Sequence, residues 1–283
     1  MMKSISIKQL LYNAQEILST VSATPLLDAE ILLAHTLNQP RSFLHAHIDE
    51  MIAEENIHLF VNYLERRHQR EPIAYIVGQR EFWSLPLDVS PDVLIPRADT
   101  ELLVETVLQL FPHRNLNLAD LGTGSGAIAL AFASECPAWK IVATDISKNA
   151  LQIAKKNAQQ LLLHHVSFYQ GSWCDALPTE KFDVIVSNPP YIAETEWESY
   201  ADDLLFEPRL ALVADRNGLA AIDEICETAP TYLKSGGFLL IEHGFLQGES
   251  VREIFKKAGF NNVYTLKDLA GHERVSVGQY AID

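Results

Sequence analysis

The chain has 283 residues, of which 48% are hydrophobic and 21% are charged, which fits one large globular domain or two ordinary ones. Its formal net charge of −15 makes nucleic acid a poor default partner, because phosphate binding depends on a basic surface. No apolar stretch reaches the roughly 18 residues that a membrane span needs, so we expect no membrane contact.

The first 70 residues predict helices. Ser6, followed three residues later by Gln9, forms a capping-box pattern, and apolar residues at helical spacing follow. Thr24 and Pro25 are a usual cap and first-turn pair, and the run that starts at Glu54 predicts a further helix. We find no β pattern and no internal repeat in this region.

The N-terminus and the cysteines indicate a cytoplasmic location. Gln15 and Glu16 stand where a signal peptide would keep its apolar core. Cys136, Cys174 and Cys226 are far apart and form no C-x-x-C pair, which suits a reducing compartment and argues against a structural zinc site. We therefore expect a cytoplasmic protein without a metal site.

The pattern changes after Pro72. Short apolar runs, interrupted by one glycine and three prolines, predict a β-hairpin or an extended connector over residues 73–98. We therefore predict an N-terminal helical domain over residues 1–72, this connector, and a further domain over residues 99–283.

From Asp99 onward, predicted strands alternate with predicted helices. This order is typical of right-handed βαβ units, and it predicts an α/β fold with a doubly wound parallel sheet covered on both faces. Ligands of such sheets bind beyond the carboxyl ends of the strands. The predicted strands lie in NLNLADL, KIVATD, VSFYQGSW, KFDVIVSNPP, GGFLLIEHG and, as a closing pair, NNVYTLKDLAGHERVSVGQ.

A glycine loop connects the first of these strands to the next helix. Gly122, Gly124 and Gly126 let the backbone approach a ligand closely, and Asp145 at the next strand end can accept both ribose hydroxyls of a nucleoside. NAD and S-adenosylmethionine fit this pattern equally. Asp120, just before the loop, suits a cationic ligand such as S-adenosylmethionine better than a pyrophosphate.

The segment NPPY follows a buried strand. Asn188 and Pro189 each precede a proline and are therefore extended, and neither Pro189 nor Pro190 has an N–H group. The Asn188 side-chain carbonyl and the Pro189 backbone carbonyl can accept both hydrogens of one –NH2 group, while Tyr191 offers a flat face. The motif therefore predicts a carboxamide or the exocyclic amine of a base as substrate. It contains no strong base, so positioning, worth about 7–11 kcal/mol in well-oriented systems, would carry most of the rate.

Other polar and aromatic residues have two interpretations. Trp173, which follows the third strand, either flanks an adenine or packs in the core. Arg97, Asp99, Thr100 and Glu101 either line the mouth of the cofactor site or serve in helix capping and surface pairing.

The motifs together resemble a known family. DLGTGSGAIAL, ATD and VSNPPYI are similar to class I S-adenosylmethionine-dependent methyltransferases that modify a planar amine. EPIAYIVGQREFWSLPLDVSPDVLIPRADTELLVE resembles the signature segment of the glutamine N5-methyltransferases of the HemK/PrmC family, and FEPRLAL, GGFLLIEHG and DLAGHERVSVG extend the resemblance over nearly the whole chain. Ala98 replaces a proline of the usual IPRPDTE, and Ser125 stands where threonine is common; neither change threatens the chemistry.

The resemblance implies an activity and a site. It implies methylation of the side-chain amide nitrogen of the glutamine in the Gly-Gly-Gln motif of class I peptide chain release factors, with S-adenosyl-L-methionine as cofactor and S-adenosyl-L-homocysteine as product. The helical domain and hairpin would engage the release factor. The implied cofactor-binding residues are Gly122, Thr123, Gly124, Ser125, Gly126, Asp145, Trp173 and Asn188; the implied catalytic residues are Asn188, Pro189 and Tyr191, with Pro190 added for substrate binding.

Three alternatives stay open at this point. An N6-adenine methyltransferase on nucleic acid would use the same amine-binding motif, but the net charge of −15 argues against direct nucleic-acid binding. A glutamine methyltransferase acting on a ribosomal protein diverges after IPR, whereas ADTELL resembles the release-factor group. A catalytically silent binding module is disfavoured by the intact Asn188 and Asp145.

Overall fold

The computed structural model describes residues 5–112 and 114–281, with the backbone alone for residues 201–203. Its contacts divide the chain into two compact units, Met1–Gln79 and Arg80–Asp283. The sequence pattern instead predicts boundaries at residues 72 and 98. Residues 1–4 and 282–283, which belong to the first and last predicted domains, lie outside the described residues. The roles assigned to the three predicted domains stay predictions.

The first unit is mainly helical, as the sequence pattern predicts. Apolar residues such as Ile7, Leu18 and Leu33 form one buried cluster. A buried acid is paired beside it, since Arg67 Nε donates to Asp28 Oδ2 at 2.8 Å. The elements are β1 (Ile5–Ser6), α1 (Ile7–Leu18), α2 (Pro25–Leu37), α3 (Arg41–Ala46), β2 (Met51–Ile52), α4 (Glu54–His68) and α5 (Ile73–Val77).

The predicted helix caps are formed in part. Ser6 Oγ accepts the Gln9 N–H at 3.3 Å, as the capping box requires, but the Gln9 side chain donates to Asn13 Oδ1 instead of turning back. Thr24 precedes α2 without capping it, because its hydroxyl donates to Asp28 Oδ1 at 3.4 Å.

Two features of the first unit differ from the prediction. β1 and β2 pair as antiparallel strands, although no β pattern was expected, because two residues are too few to show an alternating pattern. Residues Ile73–Val77 form α5 rather than an extended segment. Ile76 joins the buried cluster of this unit, and Gly78 ends the helix with a left-handed φ of 75°, so packing outweighs the strand-like composition.

The predicted hairpin is present at residues 79–88. Trp83 and Ser84 connect its strands, and both have positive φ, as a tight two-residue turn between antiparallel strands requires. The strands are β3 (Gln79–Phe82) and β4 (Leu85–Asp88).

The second unit alternates strands and helices. Short 3₁₀ segments occur at Ala98–Thr100, Trp173–Ala176, Glu194–Glu196, Arg209–Ala211 and Ala229–Thr231. The other elements are α6 (Glu101–Leu110), β5 (Asn117–Leu121), α7 (Ala127–Glu135), β6 (Lys140–Asp145), α8 (Lys148–Gln160), β7 (Val166–Gln170), β8 (Phe182–Ser187), β9 (Ile192–Ala193), α9 (Trp197–Leu204), β10 (Val213–Ala214), α10 (Asp215–Gly218), α11 (Ala220–Thr228), β11 (Leu233–Glu242), α12 (Gly248–Lys257), β12 (Asn261–Lys267) and β13 (Glu273–Gln279).

A seven-stranded sheet organises this unit, in the order β12-β13-β11-β8-β5-β6-β7. The strands β11, β8, β5, β6 and β7 are parallel, whereas β13 and β12 extend one edge in antiparallel pairing. Helices connect the parallel strands, which confirms the predicted doubly wound α/β fold.

Helices cover both faces of the sheet. Along β8, Val184 and Val186 join the core beneath α6, α7 and α8, while Ile185 joins the core beneath α11 and α12. This alternation is what a strand buried on both faces requires. In the part of the chain that the structure describes, no helix is both long and apolar enough to cross a membrane.

The carboxyl ends of β5, β6 and β8 meet at one edge of the sheet. β5 pairs with β6 on one side and with β8 on the other, so the direction in which the chain adds strands reverses at β5. A crevice opens where the strand order reverses, and ligands of such sheets bind there. Gly122, Asp145 and Asn188 lie at these three strand ends.

Asn157 of α8 connects the hairpin to the glycine loop. Its Oδ1 accepts the Asp88 N–H at 2.8 Å, and its Nδ2 donates to the Asp88 carbonyl at 3.0 Å and to the Ser125 carbonyl at 2.9 Å. The side chain is fully buried, and these three hydrogen bonds use both of its donors and give its oxygen one partner.

We expect Asn157→Ala to lower the free energy of unfolding by about 3 kcal/mol, because three buried hydrogen bonds are lost and their backbone partners stay buried. Urea denaturation followed by tryptophan fluorescence reports this change, since Trp83, Trp139, Trp173 and Trp197 all lie in the second unit. Gln159→Ala, on the exposed face of the same helix, is the matched control. Equal stability of the two variants would contradict the role of Asn157.

Candidate active site

The glycine loop uses most of its backbone donors within the protein. Four of the five N–H groups from residue 122 to residue 126 donate to protein acceptors, which leaves few for a pyrophosphate, although phosphate sites depend on such groups. The loop therefore favours a ligand without phosphates. The bonds run from Gly122 and Thr123 to the Thr144 carbonyl (2.9 Å each), from Gly124 to Asp145 Oδ2 (2.9 Å) and from Gly126 to the Thr123 carbonyl (2.8 Å).

Asp120 lies fully buried behind this loop. Its Oδ2 accepts the Thr123 hydroxyl at 2.6 Å and the Ala129 N–H at 3.2 Å, while its Oδ1 has no hydrogen-bond partner among the described residues. Burial raises the pKa of the Asp120 carboxyl from 3.8 to about 7, against the lowering effect of those two bonds. Asp120 therefore supports the loop through Thr123 and does not itself line the cavity at the strand ends.

Asp145 lines a cavity of about 360 Å3 at the strand ends, called here the first cavity, together with Gly122, Trp173 and Asn188. Its Oδ2 accepts the Gly124 N–H at 2.9 Å and its Oδ1 accepts the Ser147 N–H at 2.8 Å. Burial raises the pKa of Asp145, and these two hydrogen bonds oppose that change. Each oxygen keeps a further lone pair, so the carboxylate can accept two ribose hydroxyls.

The Trp173 ring packs against Gly122. A Cβ at residue 122 would approach Trp173 Cζ3 to 3.0 Å, and Gly122 has a φ of 71°, so space and backbone conformation both require glycine there. Trp173 also contacts the core beneath α11 and α12 while it lines the first cavity. The two interpretations of this residue are therefore compatible, and the ring offers an apolar face to an adenine.

Three residues predicted to bind the cofactor do not line the first cavity. Thr123 turns its hydroxyl to Asp120, Ser125 is buried with its carbonyl bonded to Asn157, and Gly126 is the N-cap of α7. They support the loop from behind. Gly122, Gly124, Asp145, Trp173 and Asn188 do line it.

The NPPY segment separates the first cavity from a second cavity of about 480 Å3, which is lined by Pro189, Tyr191, Arg97 and Arg274 among others. Pro190 faces the first cavity instead. Asn188 lines both cavities, so a ligand in the first cavity and a ligand in the second would meet at this residue. Burial raises the pKa of the Tyr191 hydroxyl well above its ordinary value, so the hydroxyl stays protonated.

Behind the second cavity lie two polar residues that the sequence did not single out as partners of NPPY. Asn188 Nδ2 donates to Thr100 Oγ1 at 3.1 Å. Glu242, at the end of β11, is buried, and its Oε2 has no hydrogen-bond partner among the described residues. Burial raises the pKa of Glu242 from 4.5 to about 7, although the Thr100 and Tyr191 hydroxyls and the charge of Arg274 lower it.

Three further contacts hold the segments around the second cavity. Arg97 forms an ion pair with buried Glu207, whose Oε2 also accepts the Ile95 N–H at 3.0 Å, so IPR and FEPRLAL are joined in space. Gln247 Nε2 donates to the Tyr191 carbonyl at 3.0 Å. No pattern in the sequence indicated Gln247, whereas Glu207 lies in a segment that carries the family resemblance.

The segment from Arg97 to Glu101 does not line the first cavity. Arg97 faces the second cavity, Asp99 pairs with Arg274 at 3.3 Å, and Glu101 accepts the Trp83 N–H at 2.9 Å. The pairing interpretation therefore applies to this segment. Across residues 5–112 and 114–281, no group of three or more His, Cys, Asp or Glu side chains is arranged to hold a metal ion.

These residues fit S-adenosylmethionine. Asp145 suits the ribose hydroxyls and Trp173 suits the adenine, whereas Asp120, which the sequence suggested for the cationic part, does not line the first cavity. The occupied loop donors disfavour the dinucleotide that the glycine pattern alone had left open.

We expect Asp120→Asn to change the pH dependence of stability. Because the folded state keeps the Asp120 proton up to about pH 7 while the unfolded state releases it near pH 3.8, stability falls as pH rises through this window, by at most about 1.4 kcal/mol per unit. Asparagine keeps an oxygen for Thr123 and Ala129 but cannot ionise, so the ligand-free variant should show a flatter slope.

Denaturation of both proteins between pH 4 and pH 8, about the window of that titration, checks this expectation. Identical slopes for the two proteins would contradict the assigned titration.

We expect Asp145→Ala to raise the dissociation constant for S-adenosylhomocysteine roughly 100-fold, because two hydrogen bonds to a charged acceptor are lost. Calorimetry measures the affinity. Asp175→Ala removes an exposed acid that does not line the first cavity and is the control. Unchanged affinity of the Asp145 variant would remove Asp145 from the cofactor site.

Comparison with known proteins agrees with the fold. Residues 9–78 match the PrmC N-terminal domain family, and residues 97–215 match the Methyltransferase small domain family. The chain is 46% identical over 282 residues to the release factor glutamine methyltransferase of Aliivibrio fischeri, covering 99% of each protein. It is 47% identical over 279 residues to that of Vibrio cholerae, covering 98% of each.

A solved structure shares the fold. The crystal structure of a methyltransferase from Pyrococcus furiosus superimposes with a TM-score of 0.53 at 20% identity, covering 70% of this chain and 90% of that one. This likeness concerns the fold alone, whereas the relatives extend over nearly the whole chain at 46–47% identity. The chain therefore belongs to the release factor glutamine methyltransferase family, and it is a class I S-adenosylmethionine-dependent methyltransferase.

Proposed function

We propose that this chain transfers a methyl group to the side-chain amide nitrogen, N5, of the glutamine in the Gly-Gly-Gln motif of class I peptide chain release factors. The observation that carries the proposal is the position of Asn188, which lines both cavities. A planar amide in the second cavity would meet the methyl donor at that side chain. The names of the full-length relatives support this substrate.

The chemistry requires that a poor nucleophile be held in place. The nitrogen lone pair of an amide is delocalised, so the nitrogen attacks only when it is oriented toward the donor. The Asn188 side-chain oxygen and the Pro189 carbonyl accept the two N–H groups, and the Tyr191 ring packs on the amide plane. Such positioning can supply about 7–11 kcal/mol. The cofactor, when bound, supplies an electrophilic methyl group on a sulfonium and leaves as S-adenosylhomocysteine.

Proton loss completes the reaction. When the new N–C bond forms and the S–C bond breaks, the nitrogen becomes acidic and releases one proton. Tyr191 stays protonated, and Arg97 and Arg274 are cations, so none of these residues acts as the base. The proton leaves to water through the second cavity, and the amide product is neutral.

The helical domain, residues 1–72, and the connector, residues 73–98, are proposed to bind the release factor. The relatives match this region as well as the methyltransferase domain, since they cover 98–99% of the chain. A net charge of −15 suits a basic protein surface and disfavours direct binding of nucleic acid. The cysteines Cys136, Cys174 and Cys226 are free, which supports the cytoplasm as the compartment.

We expect the protein to label one glutamine of an unmethylated release factor when it is incubated with methyl-labelled S-adenosylmethionine. Peptide mass spectrometry locates the label in Gly-Gly-Gln, and a release factor with that glutamine replaced by alanine is the control substrate. Duplex DNA and ribosomal protein are added to parallel reactions. Label in either of these and none in the release factor would overturn the proposal.

The variant Asn188→Ala tests the amide-binding role within the same assay. Turnover should fall roughly 100- to 1000-fold, since one of two preorganised acceptors is lost. Binding of S-adenosylhomocysteine should weaken far less, because Asp145 and Trp173 remain. Near-normal turnover would remove Asn188 from the substrate site.

A further inference from the structure

The side-chain amide of Gln247 contacts three separate segments of the chain. Its Oε1 accepts the Gly244 N–H at 2.8 Å, and its Nε2 donates to the Tyr191 carbonyl at 3.0 Å and to the Asn217 carbonyl at 3.1 Å. Both hydrogens of the amide are therefore used within the protein. Gln247 lines the second cavity, but it has no donor left for a ligand there.

The Gly244 end of this connection is fixed to the central sheet. The Gly244 carbonyl accepts the Gln247 N–H at 2.9 Å and lies 2.9 Å from His243 Nδ1, while His243 Nε2 lies 2.9 Å from Ser276 Oγ of β13. Burial lowers the pKa of His243, so the ring is neutral, and Nδ1 carries its hydrogen because a carbonyl only accepts. His243 and Ser276 are fully buried, so Gln247 is held against a rigid part of the fold.

The Tyr191 carbonyl also lies against a turn with left-handed backbone. Arg216 and Asn217 each have a φ of 57°, and Gly218 has a φ of 79°. A Cβ at residue 218 would approach the Tyr191 carbonyl oxygen to 2.0 Å, so only glycine permits this contact. Strained backbone persists where the surrounding structure maintains it, and it is frequent at functional sites. The Tyr191 carbonyl is therefore held from two sides, by the Gln247 donor and by Gly218.

The opposite end of the NPPY segment is fixed by the strands. Ser187 pairs with Leu121 of β5 and with Ile241 of β11, and its hydroxyl donates to the Leu121 carbonyl at 2.8 Å. The two prolines of the segment have no N–H group that could hold the backbone between its ends. The place of the Pro189 carbonyl, which the proposed function assigns to the substrate amide, therefore depends on the anchors at both ends.

We infer that Gln247 is a positioning residue which, together with Gly218, fixes the Tyr191 carbonyl and so holds the NPPY segment where the substrate amide binds. The inference rests on the proposed function, since it concerns the geometry of that site. Gln247 acts through Tyr191 and not on the reacting atoms. Such a role has a large effect on rate, because a misplacement of about 1 Å can cost roughly 100-fold.

Two substitutions remove the donor of Gln247. Gln247→Glu keeps the shape and an oxygen for the Gly244 N–H but turns an acceptor toward the Tyr191 carbonyl, whereas Gln247→Met removes both polar atoms at nearly the same length. We expect kcat with unmethylated release factor to fall roughly 10- to 100-fold in both variants. The KM for release factor and the dissociation constant of S-adenosylhomocysteine should change less than about threefold, since the lost interaction acts on the reacting geometry.

Initial rates with methyl-labelled S-adenosylmethionine measure kcat, counted per cofactor-binding site found by calorimetry. Val251→Ala is the control for stability, because it removes buried apolar atoms from the same helix without touching Tyr191. Its kcat per site should stay near the native value. A fall in kcat for Gln247→Glu and Gln247→Met no larger than that for Val251→Ala would show a merely structural role and overturn the inference.

Gly218→Ala tests the same carbonyl from the other side. It should lower kcat roughly 10- to 100-fold, and combining it with Gln247→Met should add little, because both changes act through one contact. Gly259→Ala is the control for backbone strain, since Gly259 has a φ of 87° and an added Cβ there has nothing within 4 Å. Effects that multiply in the double variant would overturn the shared role. If Gly218→Ala does not fold, the comparison of the Gln247 variants with Val251→Ala decides alone.

The proposed function and the inference fail in different ways. If the native protein methylates no glutamine in a release factor, the proposed function fails, and the inference with it. If the native protein methylates that glutamine while Gln247→Glu and Gln247→Met keep the native kcat, the positioning role alone is overturned.

Discussion

Two buried carboxylates underlie the arrangement of the site. Asp120 in β5 holds the glycine loop through Thr123, and Glu242 ends β11, whose Ile241 pairs with Ser187 just before the substrate segment. In both carboxylates one oxygen lacks a partner among the described residues, and burial raises the pKa to about 7. Such groups cost stability, and they provide direction that an apolar core cannot.

The protein's own acceptors also explain why the glycine loop suits a cofactor without phosphates. Gly122 and Gly124 have positive φ, as in loops that bind nucleotides, but their N–H groups are bonded to Thr144 and Asp145. The glycines thus provide close approach rather than donors. Specificity then depends on an acceptor, the Asp145 carboxylate, which can bind hydroxyls.

The sequence predicts the parts of this protein that depend on local pattern. Strands, helices and the Ser6 cap follow from periodicity and capping chemistry, and Asp145 and Asn188 follow from their places at strand ends. The helix Ile73–Val77 was not predicted, because packing decided its conformation. The bond from Asn188 to Thr100 joins residues 88 apart, and Glu242 comes near the substrate segment only through the pairing of β11 with β8, so no local pattern reveals either feature.

Asn188 forms a wall that the two cavities share. A change at this position that admits a new substrate also alters the surface that faces the cofactor. Substrate binding and cofactor binding therefore cannot change independently at Asn188. Variation in substrate is easier at residues that touch only one cavity, such as Tyr191, Arg97 or Arg274. During divergence of this fold, therefore, new specificities are expected to arise around a retained asparagine rather than by its replacement.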